Sequence, residues 1–202
     1  MICFFDSYEK YDPEVFLKYL PENRLKKYRD LRRKRDRENC VYAHMLLLRA
    51  LREEFGITEP QFGFIENGKP VLRGGEAHFN ISHCGKGIAV AVAKSPVGID
   101  IQEARRFGDG VMKRVFSETE TGTVNDSDDR EKAFARIWSL KESAVKCFAK
   151  SVAELSDFTF ETNRDHFEKY GRKFSVFEIG DMYVSVCSDE NFSNIITTEE
   201  LV

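Results

Sequence analysis

Hydrophobic and polar positions alternate along the chain with periods that change from segment to segment, and those changes mark the elements. The opening residues 1–5 carry the continuous apolar run I-C-F-F, which predicts a short strand. Residues 13–55 read mostly as helix, with a break at Pro21 and an apolar closing stretch, M-L-L-L-R-A-L-R-E-E-F, before Gly56. From Gln61 to Leu72 the pattern is that of a hairpin, with Asn67-Gly68 at its turn. H-F-N-I-S-H (78–83) and G-I-A-V-A-V-A (87–93) then predict two strands joined tightly through Cys84-Gly85-Lys86. V-G-I-D-I-Q (97–102) predicts one more strand after Ser95-Pro96.

The second half repeats the mixture without repeating the sequence. Ser117 and Glu120 in F-S-E-T-E fit a capping box at a helix start. The polar stretch T-G-T-V-N-D-S-D-D-R-E (121–131) predicts an exposed loop, and residues 131–150 a helix. D-F-T-F-E (157–161), K-F-S-V-F-E-I (173–179) and M-Y-V-S-V-C (182–187) predict strands. Each half therefore offers helix plus antiparallel strands, an α+β pattern.

Composition narrows the class. With 202 residues, 42% hydrophobic and 12% aromatic, the chain can bury a core, which argues against disorder. Its net charge of −3 argues against bulk nucleic-acid binding. Charge is segregated, though: residues 24–37 hold nine Lys or Arg against Asp30 and Asp36. A solvated helix face explains that run; so does a phosphate-rich ligand or an acidic partner. The five cysteines are odd in number and widely spaced with no C-x-x-C pair, which suits reduced thiols in the cytoplasm better than a disulfide framework. The first ten residues lack the pattern of a signal peptide, and no run nears the roughly 18 apolar residues of a membrane span. The expectation is a cytoplasmic protein with no membrane partner.

Two segments carry candidate chemistry. On a helical wheel of residues 131–150, Lys141 falls inside the apolar sector around Trp138, with Glu142 and Lys146 on its edge. Glu142 and Lys146 alone make an ordinary i,i+4 ion pair. Lys141 needs either a snorkelling path to water or a concentrated negative charge nearby. Along the strand V-G-I-D-I-Q, alternation sends Gly98, Asp100 and Gln102 to one side. Asp100, Gln102 and Glu142 would then make a hard-oxygen site suited to Mg²⁺, whose other positions water and phosphate fill. The alternative for Asp100 is a turn cap at a strand end.

F-N-I-S-H (79–83), V-G-I-D-I-Q (97–102) and W-S-L-K-E-S-A-V-K (138–146) together resemble the signature segments of the Sfp-type 4′-phosphopantetheinyl transferases. G-K-P (68–70) and F-S-E-T-E (116–120) match the same family in the same order. The resemblance implies two similar α+β halves in one chain, residues 1–98 and 99–202, related by a pseudo-twofold axis with coenzyme A in the cleft between them. It implies a reaction in which a serine of an apo acyl or peptidyl carrier protein attacks the β-phosphorus of coenzyme A and adenosine 3′,5′-bisphosphate leaves. Asp100, Glu142 and Gln102 are the implied metal ligands, and Glu142, Asp100 and Lys146 the implied catalytic set. Lys26, Lys69, Pro70, Ser82, His83, Lys141 and Lys146 are the implied coenzyme A contacts. Val111–Phe116 with Arg105, Arg106, Lys113 and Arg114 is the expected carrier surface, and a monomer the expected state. One position departs: many members have a second acid where this chain has Gln102. That leaves open a catalytically silent coenzyme A or nucleotide binder of the same fold.

Overall fold

The computed structural model describes residues 1–65, 68–161 and 163–201. Strand β1 (Ile2–Phe5) leads through two 3₁₀ segments, Tyr8–Lys10 and Pro13–Tyr19, into helix α1 (Glu22–Asp30) and the long helix α2 (Lys34–Phe55). The predicted 13–55 helix is thus three pieces: chain breaks fall at Leu20–Pro21 and again at Leu31–Arg33. Gly56 ends α2 in the left-handed conformation, φ +69°, which glycine adopts without a Cβ penalty. Its N–H and that of Ile57 bond back to Arg52 O and Leu51 O.

Strands β2 (Phe62–Phe64) and β3 (Pro70–Leu72) pair as the expected hairpin. Asn67 of the predicted turn lies outside the described residues. Strands β4 (His78–His83), β5 (Ile88–Ala93) and β6 (Val97–Glu103) follow, then helices α3 (Asp109–Val115), α4 (Glu118–Asn125) and α5 (Arg130–Cys147). A 3₁₀ segment, Val152–Asp157, precedes β7 (His166–Lys169), β8 (Arg172–Ile179), β9 (Met182–Ser188) and β10 (Ile196–Thr197).

Two predicted elements are corrected. Much of the polar stretch 121–131 belongs to helix: α4 runs to Asn125, because the Ser117–Glu120 capping box starts it and buried Val124 anchors it. D-F-T-F-E is not a strand. Phe158 and Phe160 bury their rings in a core cluster, against Phe148 and Phe174 respectively, so its apolar alternation reports packing, not pairing.

One sheet has the order β10-β1-β5-β4 and the other β6-β9-β8-β7. Alternation sets four layers. Cys3 and Phe5 of β1, with Ile88, Val90 and Val92 of β5, face α2. Ile2, Phe4, Ala89 and Ala91 turn the other way, onto Val97, Ile99 and Ile101 of β6 and Val184 and Val186 of β9. Both faces of β1 and β5 are therefore buried, which is why their sequences read as unbroken apolar runs. The opposite face of β6 and β9 carries α5. At one corner the edge strands β4 and β6 run side by side outside any shared ladder, and side chains stitch them: Asn80 Oδ1 accepts from Ile99 N at 2.8 Å.

Candidate active site

The β4–β6 corner is where the candidate chemistry collects. Gly98 decides how close α5 comes: a Cβ there would lie 2.1 Å from Ser143 O and 2.4 Å from Cys147 N. Small side chains at Ser139, Ser143 and Cys147 share that approach, with Ser139 Oγ 2.7 Å from Ser185 Oγ on β9. The next residue of β6 on the same face is Asp100, so the pairing of bare backbone with α5 delivers Lys146 and Glu142 to it.

Lys146 Nζ donates to Asp100 Oδ1 at 2.6 Å, Ser82 Oγ at 3.2 Å and Ile99 O at 3.2 Å, and lies 3.9 Å from Glu142 Oε2. Ser82 Oγ also donates to Asp100 Oδ1, at 2.7 Å. Two carboxylates from two different elements thus share one ammonium. Asp100 is buried, and its second oxygen, Oδ2, has no hydrogen-bond partner. Burial pushes the Glu142 carboxyl above the usual range; Lys146 opposes this and Asp100 reinforces it. Gln102 is half-buried on the same face, its amide donating to Glu103 O at 3.4 Å. No cluster of three or more His, Cys, Asp or Glu stands ready for a metal among the described residues.

Lys141 does not join this group. Its side chain is 0% exposed, and Nζ lies 2.8 Å from Glu120 Oε2, itself 0% exposed, while also donating to Phe158 O. Glu120 accepts from Ser117 N and Phe160 N as well, both at 2.8 Å. The concentrated negative charge that Lys141 needed is therefore Glu120, and the pair ties α4 and the Phe158 segment to α5. With its ammonium committed and without solvent access, Lys141 is corrected from a coenzyme A contact to a structural one. The apolar sector around it holds Trp138 in a stack with Phe134, Phe107 and Phe116.

Lys69 donates to Lys146 O at 2.7 Å and Val97 O at 3.3 Å, bracing the C-terminal end of α5 against the start of β6. Pro70 borders two cavities. One, about 320 Å³, is lined by Asn23, Arg24, Lys27, Phe62 and Phe64; the other, about 280 Å³, by Lys69, His78, Cys147 and Phe148. Lys26 is exposed on α1 and lines neither, whereas Arg24 and Lys27 line the first. The resemblance implies Lys26 on this helix, but the side chains that reach the cavity are those of Arg24 and Lys27. His83 ends β4; partial removal from water, then the Lys27 and Lys146 charges, hold its imidazole below the usual histidine range. A larger cavity of about 400 Å³ beside β7 and β8, lined by His166, Phe167 and Phe174, contains none of these residues.

Comparison with known proteins places the chain in a family. The 4'-phosphopantetheinyl transferase superfamily matches residues 96–193, a span that includes β6, α5 and β9. The 4'-phosphopantetheinyl transferase Sfp of Bacillus subtilis is 28% identical over 158 residues, covering 75% of this chain and 70% of that protein. A Haemophilus influenzae protein provisionally named as a 4'-phosphopantetheinyl transferase is 31% identical over 166 residues, 77% of this chain and 68% of that one. Against another Bacillus subtilis 4'-phosphopantetheinyl transferase, 34% identical, the match covers 56% of the relative's length. The Thermotoga maritima holo-[acyl-carrier-protein] synthase (AcpS) superposes with a TM-score of 0.32 at 18% identity, over 46% of this chain and 61% of that one, a slight likeness. The chain belongs to the 4'-phosphopantetheinyl transferase superfamily. Its reaction is the transfer of 4'-phosphopantetheine from coenzyme A to a carrier protein.

Proposed function

We propose that the β4–β6 corner is the transfer centre, with Asp100 and Glu142 holding a divalent cation, Mg²⁺, against the diphosphate of coenzyme A. The observation that carries this reading is the shared ammonium: Lys146 bridges two carboxylates, and Asp100 Oδ2 is buried without a partner. An orphaned carboxylate oxygen is costly unless a ligand meets it. Two carboxylates with one amide suit Mg²⁺, which takes its remaining positions from water and phosphate. When bound, the cation would polarise the β-phosphate and offset charge on the leaving group.

Lys146 then has diphosphate oxygens as its alternative partners, with His83 beside it. Ser82 holds Asp100 in place, and Lys69 and Pro70 border the nucleotide side. Arg24 and Lys27 supply cationic groups for the 3′-phosphate in the cavity that Phe62 and Phe64 line. Glu142 is the base: it takes the proton as the carrier serine oxygen bonds to the β-phosphorus. The bond from that phosphorus to the bridging oxygen breaks, and adenosine 3′,5′-bisphosphate keeps the electron pair. Burial favours this role, since it raises the proton affinity of the carboxylate. Two halves meeting at residues 97–103 belong to the same reading, supported by two four-stranded sheets each backed by a long helix. The carrier docks on α3, where Val111 is exposed and Lys113 and Arg114 lie in the last turn.

The test is to mix the protein with Mg²⁺, coenzyme A and apo carrier and weigh the carrier. One added phosphopantetheine is expected, and Glu142→Gln should nearly abolish it while leaving coenzyme A affinity largely intact. Coenzyme A binding with no mass gain on any carrier would favour the silent binder.

A further inference from the structure

His83, exposed at the end of β4, is the outer end of a polar chain that runs inward, away from the site. Its Nδ1 lies 3.3 Å from Asn39 Nδ2 on the first turns of α2. Asn39 Oδ1 accepts from Tyr8 Oη at 2.6 Å, on the 3₁₀ turn after β1. Tyr8 and Asn39 are both buried, and the Arg35 guanidinium sits 3.7 Å from the centre of the Tyr8 ring. None of the sequence motifs includes Tyr8 or Asn39.

Two proton arrangements fit such a chain, and the distances choose between them. A separation of 2.6 Å suits O–H···O, while N–H···O bonds centre nearer 2.9–3.0 Å. Tyr8 therefore donates to the carbonyl oxygen of the Asn39 amide. That turns the Asn39 NH₂ towards His83, and Nδ1 must accept. The proton of neutral His83 is then on Nε2. Burial pushes the Tyr8 phenol far above its ordinary value, which keeps it a donor at any working pH.

We propose that Tyr8 and Asn39 are positioning residues that lock His83 in its Nε2–H tautomer, so that this N–H is presented as a donor to a phosphate oxygen of coenzyme A. The proposal rests on the reading that His83 meets the phosphates. In the opposite tautomer Nε2 would turn a lone pair to an anion, and the contact would repel. A donor fixed before the ligand arrives does not lose rotational and tautomeric freedom on binding.

Long-range ¹H–¹⁵N spectra of histidine-labelled protein read the tautomer directly. Wild-type His83 is expected as Nε2–H; an Nδ1–H signature overturns the relay. Tyr8→Phe is expected to give a tautomer mixture and to weaken coenzyme A binding roughly three- to tenfold, the size of one lost hydrogen bond. In turnover that loss should fall mainly on KM for coenzyme A. Unchanged spectra and affinity overturn the proposal. In a His83→Ala background, Tyr8→Phe should cost no further affinity; an additive loss means the effect does not pass through His83. Asn39→Asp, which offers only acceptor oxygens, should place a proton on Nδ1 whether or not Tyr8→Phe folds well, and a bare Nδ1 in that variant overturns the relay. His83→Ala with an unchanged coenzyme A Kd overturns the phosphate role itself, so the two failures are distinguishable.

Discussion

Lys146 and Lys141 sit five positions apart on one helix and have opposite fates, decided by which carboxylate each finds. Lys141 meets Glu120 in a fully buried pair. Lys146 remains part-exposed and spans Asp100 and Glu142. Beside them Gln102 contributes an amide where an acid would add a full charge. A carboxylate there should strengthen the hold on a divalent cation, so Gln102→Glu is expected to lower the Mg²⁺ concentration for half-maximal transfer several-fold. A titration of transfer rate against Mg²⁺ checks it, and an unchanged midpoint removes residue 102 from the metal shell. The motifs made Asp100, Glu142 and Lys146 legible, because strand alternation and helix spacing place them without tertiary information. Glu120 as the partner of Lys141 is not legible in sequence: there it shows only as half of a capping box, and a pairing across α4 and α5 has no local signature.

Among the elements, α5 is the one whose position the site depends on, and Gly98 sets it. Gly98→Ala would place a methyl group inside the backbone of Ser143 and Cys147, and neither atom is a flexible side-chain end. We expect a loss of about 1–3 kcal/mol in stability together with a larger fall in transfer rate, because α5 must move off β6 and carry Glu142 with it. Denaturant unfolding and single-turnover kinetics on one preparation measure both. Helix α2 offers a second test. His44 is buried in it with Nε2 3.2 Å from Tyr19 O, and burial, then the Arg24 charge, lowers its pKa to about 4. Unfolded, it titrates near its ordinary value. The folded state thus binds fewer protons between those values, and stability is full above about pH 6.5 and falls as pH drops towards 4. The expected loss from this group is about 3 kcal/mol. His44→Gln should flatten the pH dependence of unfolding free energy in that window; an unchanged slope would refute the assignment. The helix–strand order was largely readable from periodicity. What defeated it was burial on several sides: Phe158 and Phe160 alternate like a strand because both rings enter a core.

On the scale of the whole molecule, four layers bury the two sheets against each other and leave polar stitching at one corner. The expected separation into residues 1–98 and 99–202 meets a detail that no periodicity announces: Ile196–Thr197 of β10 pairs in parallel with Cys3–Phe4 of β1. A two-residue strand has too little pattern to be seen in sequence, and its partner lies almost the full chain away. Among the described residues no helix is long and apolar enough to cross a membrane.

Lys146 has one more consequence. Because its ammonium already balances Asp100 and stands near Glu142, the apo protein does not rely on a divalent ion to keep those anions together. Assembly and activation are thereby uncoupled. Chelation with EDTA should stop turnover and shift Tm by about a few degrees at most, since Lys146 already offsets one of the two carboxylate charges when no ion is bound. Lys146→Met should reverse that independence, giving a protein that melts early in EDTA and is rescued by added Mg²⁺. Calorimetry of the two proteins, with and without chelator, would read whether Lys146 acts as a latch that the proposed ion releases.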